Sequence, residues 1–529
     1  MAATIYPDYP PALTSDQSGY LLSNLKDWSI LNGLAVRPSP AFVSREIDPS
    51  GSLAVTAPLT LFPSLFPRVC FDEARAIQTG YNELYAAIAG DETWLKEIVE
   101  EIAQVDEFIA KLWQVHLAVK REGYTQDLSL GLFRSDYMVH RDPLNSAAEP
   151  QIRQVEFNTI ASSFGGLAAK VSALHRHLLQ IQAFPPTQLD LITANNLPDN
   201  LSVQSLSRGL ATAHKAYGNC VSEPNRPLCI LFIVQSPENN IFDQHALSNE
   251  LWTNHGIPTF RVAYGNILRH TSVAHSFPTR PLIYSPPNLP SSYEVTTCYF
   301  RAGYSPAEYP DDTAWSARLH LERSAAIKCP SILTHLAGSK KIQQILATPS
   351  STYLERFLAR SRAISDTTAV ASRIRATFAA MYPLDSSPAG RHAASLATSP
   401  HESAAYVLKP QREGGGNNIY GTKIPAFLKS LGDDELKWKG YVLMELIEPP
   451  SLRNTIFRNG EVKSGEVIGE LGVYGVCLWR NGKDKHKDKV EILENFEAGH
   501  LLRTKGRESE EGGVAAGFGS VDSVCLIEI

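Results

Sequence analysis

The stretch YVLKPQREGGGNNIYG, Tyr406 to Gly421, follows a lysine, an arginine and a glutamate with three glycines and two asparagines. A plain turn uses one glycine, or two. The surplus of small residues leaves backbone amides bare to something bulky and anionic. Lys409 closes the apolar run AYVL, and Gly414, Gly415 and Gly416 open backbone conformations closed to other residues, so that their amides can converge on phosphate oxygens. Glu413 is placed to complete a metal shell facing those oxygens. The order departs from the P-loop, whose lysine comes after its glycines. Taken alone a triple glycine is more often a flexible turn than a phosphate cradle, and it is the lysine and glutamate just upstream that make the nucleotide reading competitive.

A second stretch, QIRQVEFNTIASSFGG from Gln151, alternates Val155 and Phe157 with Gln154, Glu156 and Asn158, the period of a strand. Glu156 and Asn158 then share one face. A carboxylate beside an amide oxygen is hard-ligand chemistry suited to Mg²⁺. The competing reading is a polar, solvent-facing strand edge. The run SSFGG adds small donors for a ligand's backbone or carboxylate. GYVLMELIEP is an apolar strand and turn able to offer backbone groups and Met444 to an adenine ring, or an ordinary core strand. Glu470 lies on the strand pattern GELGVYG, within reach of ribose hydroxyls or facing solvent. Near the C-terminus, Arg503 and Lys505 precede a glycine- and alanine-rich stretch of the composition of a flap. Arg134 and Arg301 follow apolar strands, as carboxylate clamps or buried ion pairs. His175 and His177 point to different faces of a helix and read as structural.

The elements that must position these residues are legible in outline. Ile98, Ile102, Val105, Ile109 and Leu112 predict one helix running to about Lys120 and ending at Gly123. From Cys229, CILFIV, then FDQHALSNELWTNHG, TFRVAY and TTCYF alternate strand with helix, a compact α/β lobe. Ser386 to Ser403, Pro185 to Pro198 and the charged NGKDKHKDK from Asn481 read as loops or insertions. The last interleaves its lysines with aspartates and carries no aromatic residue, so a surface hairpin suits it better than a nucleic-acid patch.

The whole chain has 529 residues, 43% hydrophobic and 20% charged, with a net charge of −6. That length calls for two or three lobes. The acidic balance gives no overall attraction for nucleic acid or anionic membranes. No secretory signal and no membrane-length apolar run is evident. Seven scattered cysteines without a CxxC pair fit neither a disulfide framework nor a zinc site, and point to a reducing compartment, the cytoplasm.

The motifs LFRSDYM, QVEFNTIASSFGGLAAKV, NIFDQ, YFRAGY, AGSKKIQQ, VLKPQREGGGNNIYG, VLMELIEP, ELGVYGV, HLLRTK and GGVAAG occur in an order that resembles eukaryotic glutathione synthetases, from about Pro58 to the end. The resemblance implies an α/β (α+β) chain with an ATP-grasp fold: an N-terminal helical region with part of the core at 1–225, a smaller Rossmann-like substrate lobe at 226–335, and the remaining core with its glycine-rich lid at 336–529. It implies a homodimer that uses ATP and Mg²⁺ to join γ-glutamylcysteine to glycine. Carried over by motif, Glu156, Asn158 and Glu413 resemble magnesium ligands. Glu156, Lys340, Lys409, Gly414, Gly415, Gly416, Asn417, Asn418, Tyr420, Met444, Glu445, Leu446, Ile447, Glu470, Lys505 and Glu511 match ATP contacts. Arg134, Ala161, Ser162, Ser163, Glu238, Gln244, Arg301, Ala302, Gly303, Tyr304, Arg503, Val514 and Ala515 match dipeptide contacts. Arg134, Lys340 and Lys409 are the expected catalytic residues. Ala161 stands where some members carry serine, and Glu511 where an aspartate is found. Two alternatives stand beside this reading: a ligase accepting β-alanine or serine in place of glycine, and a nucleotide-binding relative without catalysis.

Overall fold

The computed structural model describes the chain apart from residues 1–5, 7, 142–148, 189, 289, 361–365, 414–415, 433–434, 483–489, 508–518 and 529. It is a mixed α/β molecule. Among the described residues, thirteen strands join in one sheet and four in a second, antiparallel sheet. Leu128–His140 is the strand on which the large sheet turns. Its end pairs antiparallel with Gln151–Asn158, its length with Glu461–Arg480, and its start runs parallel to Ile327–Cys329 through Ser129 and Lys328. Glu461–Arg480 in turn pairs with Glu491–Gly506.

Leu228–Val234, Thr259–Ala263, Tyr293–Phe300 and Ile327–Cys329 run parallel, with helices Ile241–His255 and Asp312–Glu322 between them in the chain. CILFIV is buried throughout, as a strand covered on both faces requires. This α/β unit matches the alternation in the sequence, and its sheet is continuous with Leu128–His140. The four-stranded sheet is ordered Met381–Pro383, Tyr441–Glu445, Tyr406–Pro410, Ile419–Tyr420.

The core reaches directly behind the candidate site. Helix Gln78–Ala89 is buried along nearly all its length, and its Tyr85 stacks on Phe157 with ring centroids 3.8 Å apart. That contact clamps the back of the strand bearing Glu156. The pairing of the same strand skips from Asp136–Glu156 to Tyr137–Gln154, so Val155 is a bulged residue. Bulges of this kind bend a strand and re-aim its groups.

Two expectations are corrected. The helix expected from Ile98 to Lys120 is two, Glu92–Ile102 and Glu107–Glu122, because Asp106 caps a new start by accepting the Ile109 N–H. The end at Gly123 is as expected, at φ 83°. Ser386 to Ser403 is not a loop: it holds helix Pro388–Thr398, with Ser387 capping and Pro388 in the first turn. The Ser-Pro start and the alanine-rich run were the legible signal. His175 is structural as read, bonded to Ser523 Oγ and the Thr60 carbonyl.

Candidate active site

Two lysines and two glutamates from separate segments meet between the two sheets. Glu156 comes from Gln151–Asn158, Lys409 from Tyr406–Pro410 of the four-stranded sheet, and Lys340 from the first turn of helix Lys340–Ala347. Lys340 Nζ lies 2.9 Å from Glu156 Oε2. Lys409 Nζ donates to the carbonyl of Val155 at 2.8 Å, the residue left over by the bulge. Gln411 Oε1 accepts the backbone N–H of Lys341 at 2.9 Å, which ties the segment after Lys409 to the lysine helix. Arg412 is turned away onto Asp106 and the ring of Phe108, so the arginine of the opening motif anchors the helix start rather than facing the site.

The charges are mutually adjusted. Burial acts to raise the Glu156 pKa, but the ammonium groups of Lys340 and Lys409 outweigh it and hold this carboxylate well below its ordinary range. Burial likewise acts against Lys340, and Glu156 and Glu413 reverse that and raise it. Lys409 is pushed down to about 8 by burial, with Glu156 opposing and the Lys340 charge assisting. Glu413 is pushed up to about 8 by burial, with Lys340 opposing and Glu156 adding to the rise. Each of the four feels the charge of at least two others, and Glu413 Oε1 lies 2.5 Å from where a Cβ on Gly338, two residues before Lys340, would stand.

The donor set suits a hard cation. Among the described residues both carboxylate oxygens of Glu413 are buried without a close hydrogen-bond partner, although the Thr159 backbone N–H lies near enough to favour the charged form. Such a carboxylate is costly to bury unless a cation or proton completes it. Asn158 is 6% exposed, and its amide nitrogen donates to Asp136 Oδ2 at 2.9 Å and to the Arg134 carbonyl at 3.2 Å. Among the described residues no group of three or more His, Cys, Asp or Glu is placed to hold a metal; the set here is two glutamates and an amide.

The expected dipeptide residues lie on neighbouring segments. Arg134 donates through Nε and Nη2 to Asp136 at 2.6 and 2.8 Å, and through Nη1 to the Ser163 carbonyl at 3.2 Å. Arg503 reaches Asp136 Oδ2 at 2.8 Å and also pairs with Glu470. Ala161 sits at φ 52° and Ser162 Oγ is buried without a partner among the described residues. Within SSFGG, two backbone donors are already committed. Gly166 N–H and Phe164 N–H are taken by the carboxylate of Asp243, at 2.7 and 3.0 Å. A Cβ on Gly166 would stand 2.8 Å from the Asp243 carbonyl, so glycine is needed there for close helix packing.

Arg301 pairs with the same Asp243 at 2.9 Å, and its Nη1 is buried without a partner among the described residues. Beside it Glu238 bonds Gln244, whose Oε1 accepts Arg261 Nε at 2.9 Å. Ala302 is buried, Gly303 is at φ 86°, and Tyr304 Oη accepts the Gln235 amide at 3.0 Å. The expected residues of this second group stand on helix Ile241–His255 and on the segments that follow strands Leu228–Val234 and Tyr293–Phe300.

The expected adenine segment packs as one patch: Met444 is buried with Val407, and Tyr420, Leu446 and Ile447 lie against them. Glu445 is exposed, and the N–H groups of Glu445 and Leu446 already bond the carbonyls of Ala380 and Ala405. Gly416 sits at φ 91° with open space around it, so it is glycine for conformation rather than room. Asn417 is exposed, and Asn418 donates to Tyr420 Oη at 3.3 Å. Glu470, Arg503 and Lys505 line a shallow pocket with Met138 and Ile468. Gly414, Gly415, Glu511, Val514 and Ala515 lie outside the described residues.

Sequence reasoning missed Asp136, Asp243, Gln411 and Met138. Asp136 was within reach: it stands two residues after Arg134 in LFRSDYM, hence on the same strand face.

Comparison with known proteins agrees in full length. The profile described as "Eukaryotic glutathione synthase, ATP binding domain" matches residues 15–526. The chain is 37% identical to the glutathione synthetase large chain of Schizosaccharomyces pombe, over 97% of this chain and 99% of that one. It is 38% identical to glutathione synthetase of Homo sapiens, over 94% of each. In fold it is similar to a glutathione synthetase-like effector of Globodera pallida, with a TM-score of 0.70, 20% identity and 98% of each chain covered. The chain therefore belongs to the eukaryotic glutathione synthase family.

Proposed function

We propose that this chain is an ATP-dependent ligase that joins γ-glutamylcysteine to glycine, giving glutathione, ADP and phosphate. The observation that carries the reading is the convergence of Lys340, Lys409, Glu156 and Glu413 between the two sheets. In this reading the fold is ATP-grasp: the four-stranded sheet holds the nucleotide, the glycine-rich segment covers its phosphates, and the lobe at 226–335 receives the dipeptide. A homodimer in the cytoplasm belongs to the same reading. Family membership supports the dimer. Seven free cysteines, six of them buried, suit a reducing compartment. No helix among the described residues is long and apolar enough to cross a membrane.

A carboxylate is a poor electrophile. ATP first transfers its γ-phosphoryl group to the dipeptide's C-terminal carboxylate, making an acyl phosphate and ADP. Glycine's amine attacks the activated carbonyl, loses its proton, and expels phosphate by cleavage of the carbon–oxygen bond. The protein's task is charge neutralisation and alignment. Lys340 and Lys409 are aimed at the phosphates, and Arg134 steadies the charge that gathers on the dipeptide carboxyl. Glu156, Asn158 and Glu413 would hold magnesium, which when bound neutralises phosphate charge. The acyl phosphate hydrolyses readily, so the site must exclude water while it persists.

The test is isotopic. With ¹⁸O in the dipeptide's C-terminal carboxylate, one labelled oxygen should appear in the phosphate released. Unlabelled phosphate released alongside glutathione would rule out the acyl phosphate.

A further inference from the structure

We propose that Asp136 is the positioning residue of this site, the one carboxylate that presents both substrate-side arginines and fixes which end of Asn158 faces a cation. This rests on the site reading above. Asp136 is fully buried on Leu128–His140, between the strands that carry its partners. Its Oδ1 accepts Arg134 Nε at 2.6 Å. Its Oδ2 accepts Arg134 Nη2 at 2.8 Å, Asn158 Nδ2 at 2.9 Å and Arg503 Nη2 at 2.8 Å.

Three of the four donors fall on Oδ2 and one on Oδ1, and the side chain has no exposed surface from which to meet a ligand. Asp136 is therefore assigned neither a metal nor a substrate contact. It acts through the groups it holds.

Three consequences follow from the geometry. The Arg134 edge formed by Nε and Nη2 is committed to Asp136, so only Nη1, anchored on the Ser163 carbonyl, is turned toward the SSFGG segment. Arg503 is gripped by its Nη2 alone, which leaves a buried Nε without a partner among the described residues. Such a group suits an anionic ligand. The amide of Asn158 meets a carboxylate and a carbonyl, both acceptors only, so its nitrogen must face them. Its oxygen is then the end left for a cation. Removing one charge at position 136 thus disturbs arginines and amide together, as outer-sphere partners of metal sites generally do.

Asp136→Asn keeps the shape and loses the charge. The expected result is a KM for γ-glutamylcysteine raised about tenfold or more, with the KM for glycine moved much less and partial recovery in Asp136→Glu. A wild-type dipeptide KM in folded Asp136→Asn overturns the proposal. Asn158→Asp gives a readout that needs no turnover. It sets two carboxylates against each other, so binding of a non-hydrolysable ATP analogue, followed by calorimetry, should require about tenfold more Mg²⁺, and adding Asp136→Asn to the same chain should lower that requirement again. If Asn158→Asp binds with the wild-type Mg²⁺ requirement or a lower one, the proposal fails even where Asp136→Asn does not fold. Failure of the site reading is separate: Glu156→Gln and Lys409→Met would then both ligate at wild-type rates, whatever the variants at position 136 do.

Discussion

At the scale of single residues, the site depends on cations that keep their charge in a buried place. Lys409 is 4% exposed, stands next to last on its strand, and lies among Glu156, Lys340 and Glu470. Lys409→Met keeps the length and removes the charge. It should lower kcat for ligation by at least about 10²–10³-fold, the range for deleting one aimed donor, with a melting temperature close to wild type. Wild-type turnover would refute the assignment. Lys409, Glu156, Asn158 and Glu413 were legible because each stands in a short, unusual local context: a strand end before glycines, or two polar residues on one strand face. The pairing of Asp136 with Arg134 was within local reach, but its hold on Arg503, and that of Asp243 on Arg301, was not. Those partners lie far along the chain, and no local pattern reports them.

At the scale of elements, helix ends and bulges set where these groups point. Gly338 ends helix Ile332–Ala337, and a Cβ there would stand 2.4 Å from Thr159 Oγ1 and 2.5 Å from Glu413 Oε1. Gly338→Ala must displace the Glu413 carboxylate, so ligation should fall about tenfold or more while the melting temperature drops only a few degrees. An equal loss of both would make the glycine structural.

Gly475 gives the opposite case. Its Cβ would meet Asn82 Oδ1 at 2.0 Å, and Asn82 Nδ2 donates to Asn495 Oδ1 at 2.9 Å on the neighbouring strand. Gly475→Ala should cost about 1–3 kcal/mol of stability and leave the kcat of the folded fraction unchanged, as denaturation and active-site titration together would report. The α/β alternation after Cys229 was readable because buried parallel strands are apolar throughout. The break at Asp106 and the helix at Pro388 were missed because capping residues outweigh periodicity and composition at element ends.

At the scale of the molecule, one sheet joins segments that look separate in the sequence. The link is narrow, through Ser129 and Lys328, and nothing in either segment alone announces it. Long-range stapling also gives the fold a pH signature. Burial pushes His175 down to about 4, with the Thr60 carbonyl opposing. A histidine depressed in the folded state favours folding while neutral. Its contribution is complete above its unfolded pKa near 6.5 and is lost as pH falls toward about 4, roughly 3 kcal/mol in all. Asp522, raised to about 6 by burial, acts in the opposite direction, so the total profile is a sum. Comparing wild type with His175→Gln isolates the histidine: urea titrations should find that wild type loses more stability than the variant between pH 7 and pH 4. Parallel losses would remove His175 from the account.

The central claim is that separate segments gather to couple ATP cleavage to amide formation. Phosphate release measured with ATP, γ-glutamylcysteine and glycine, each omitted in turn and with β-alanine or serine in glycine's place, tests it most directly. The account predicts one phosphate per glutathione, only with all three present and best with glycine. Phosphate release indifferent to the dipeptide, or no release under any combination, would contradict it.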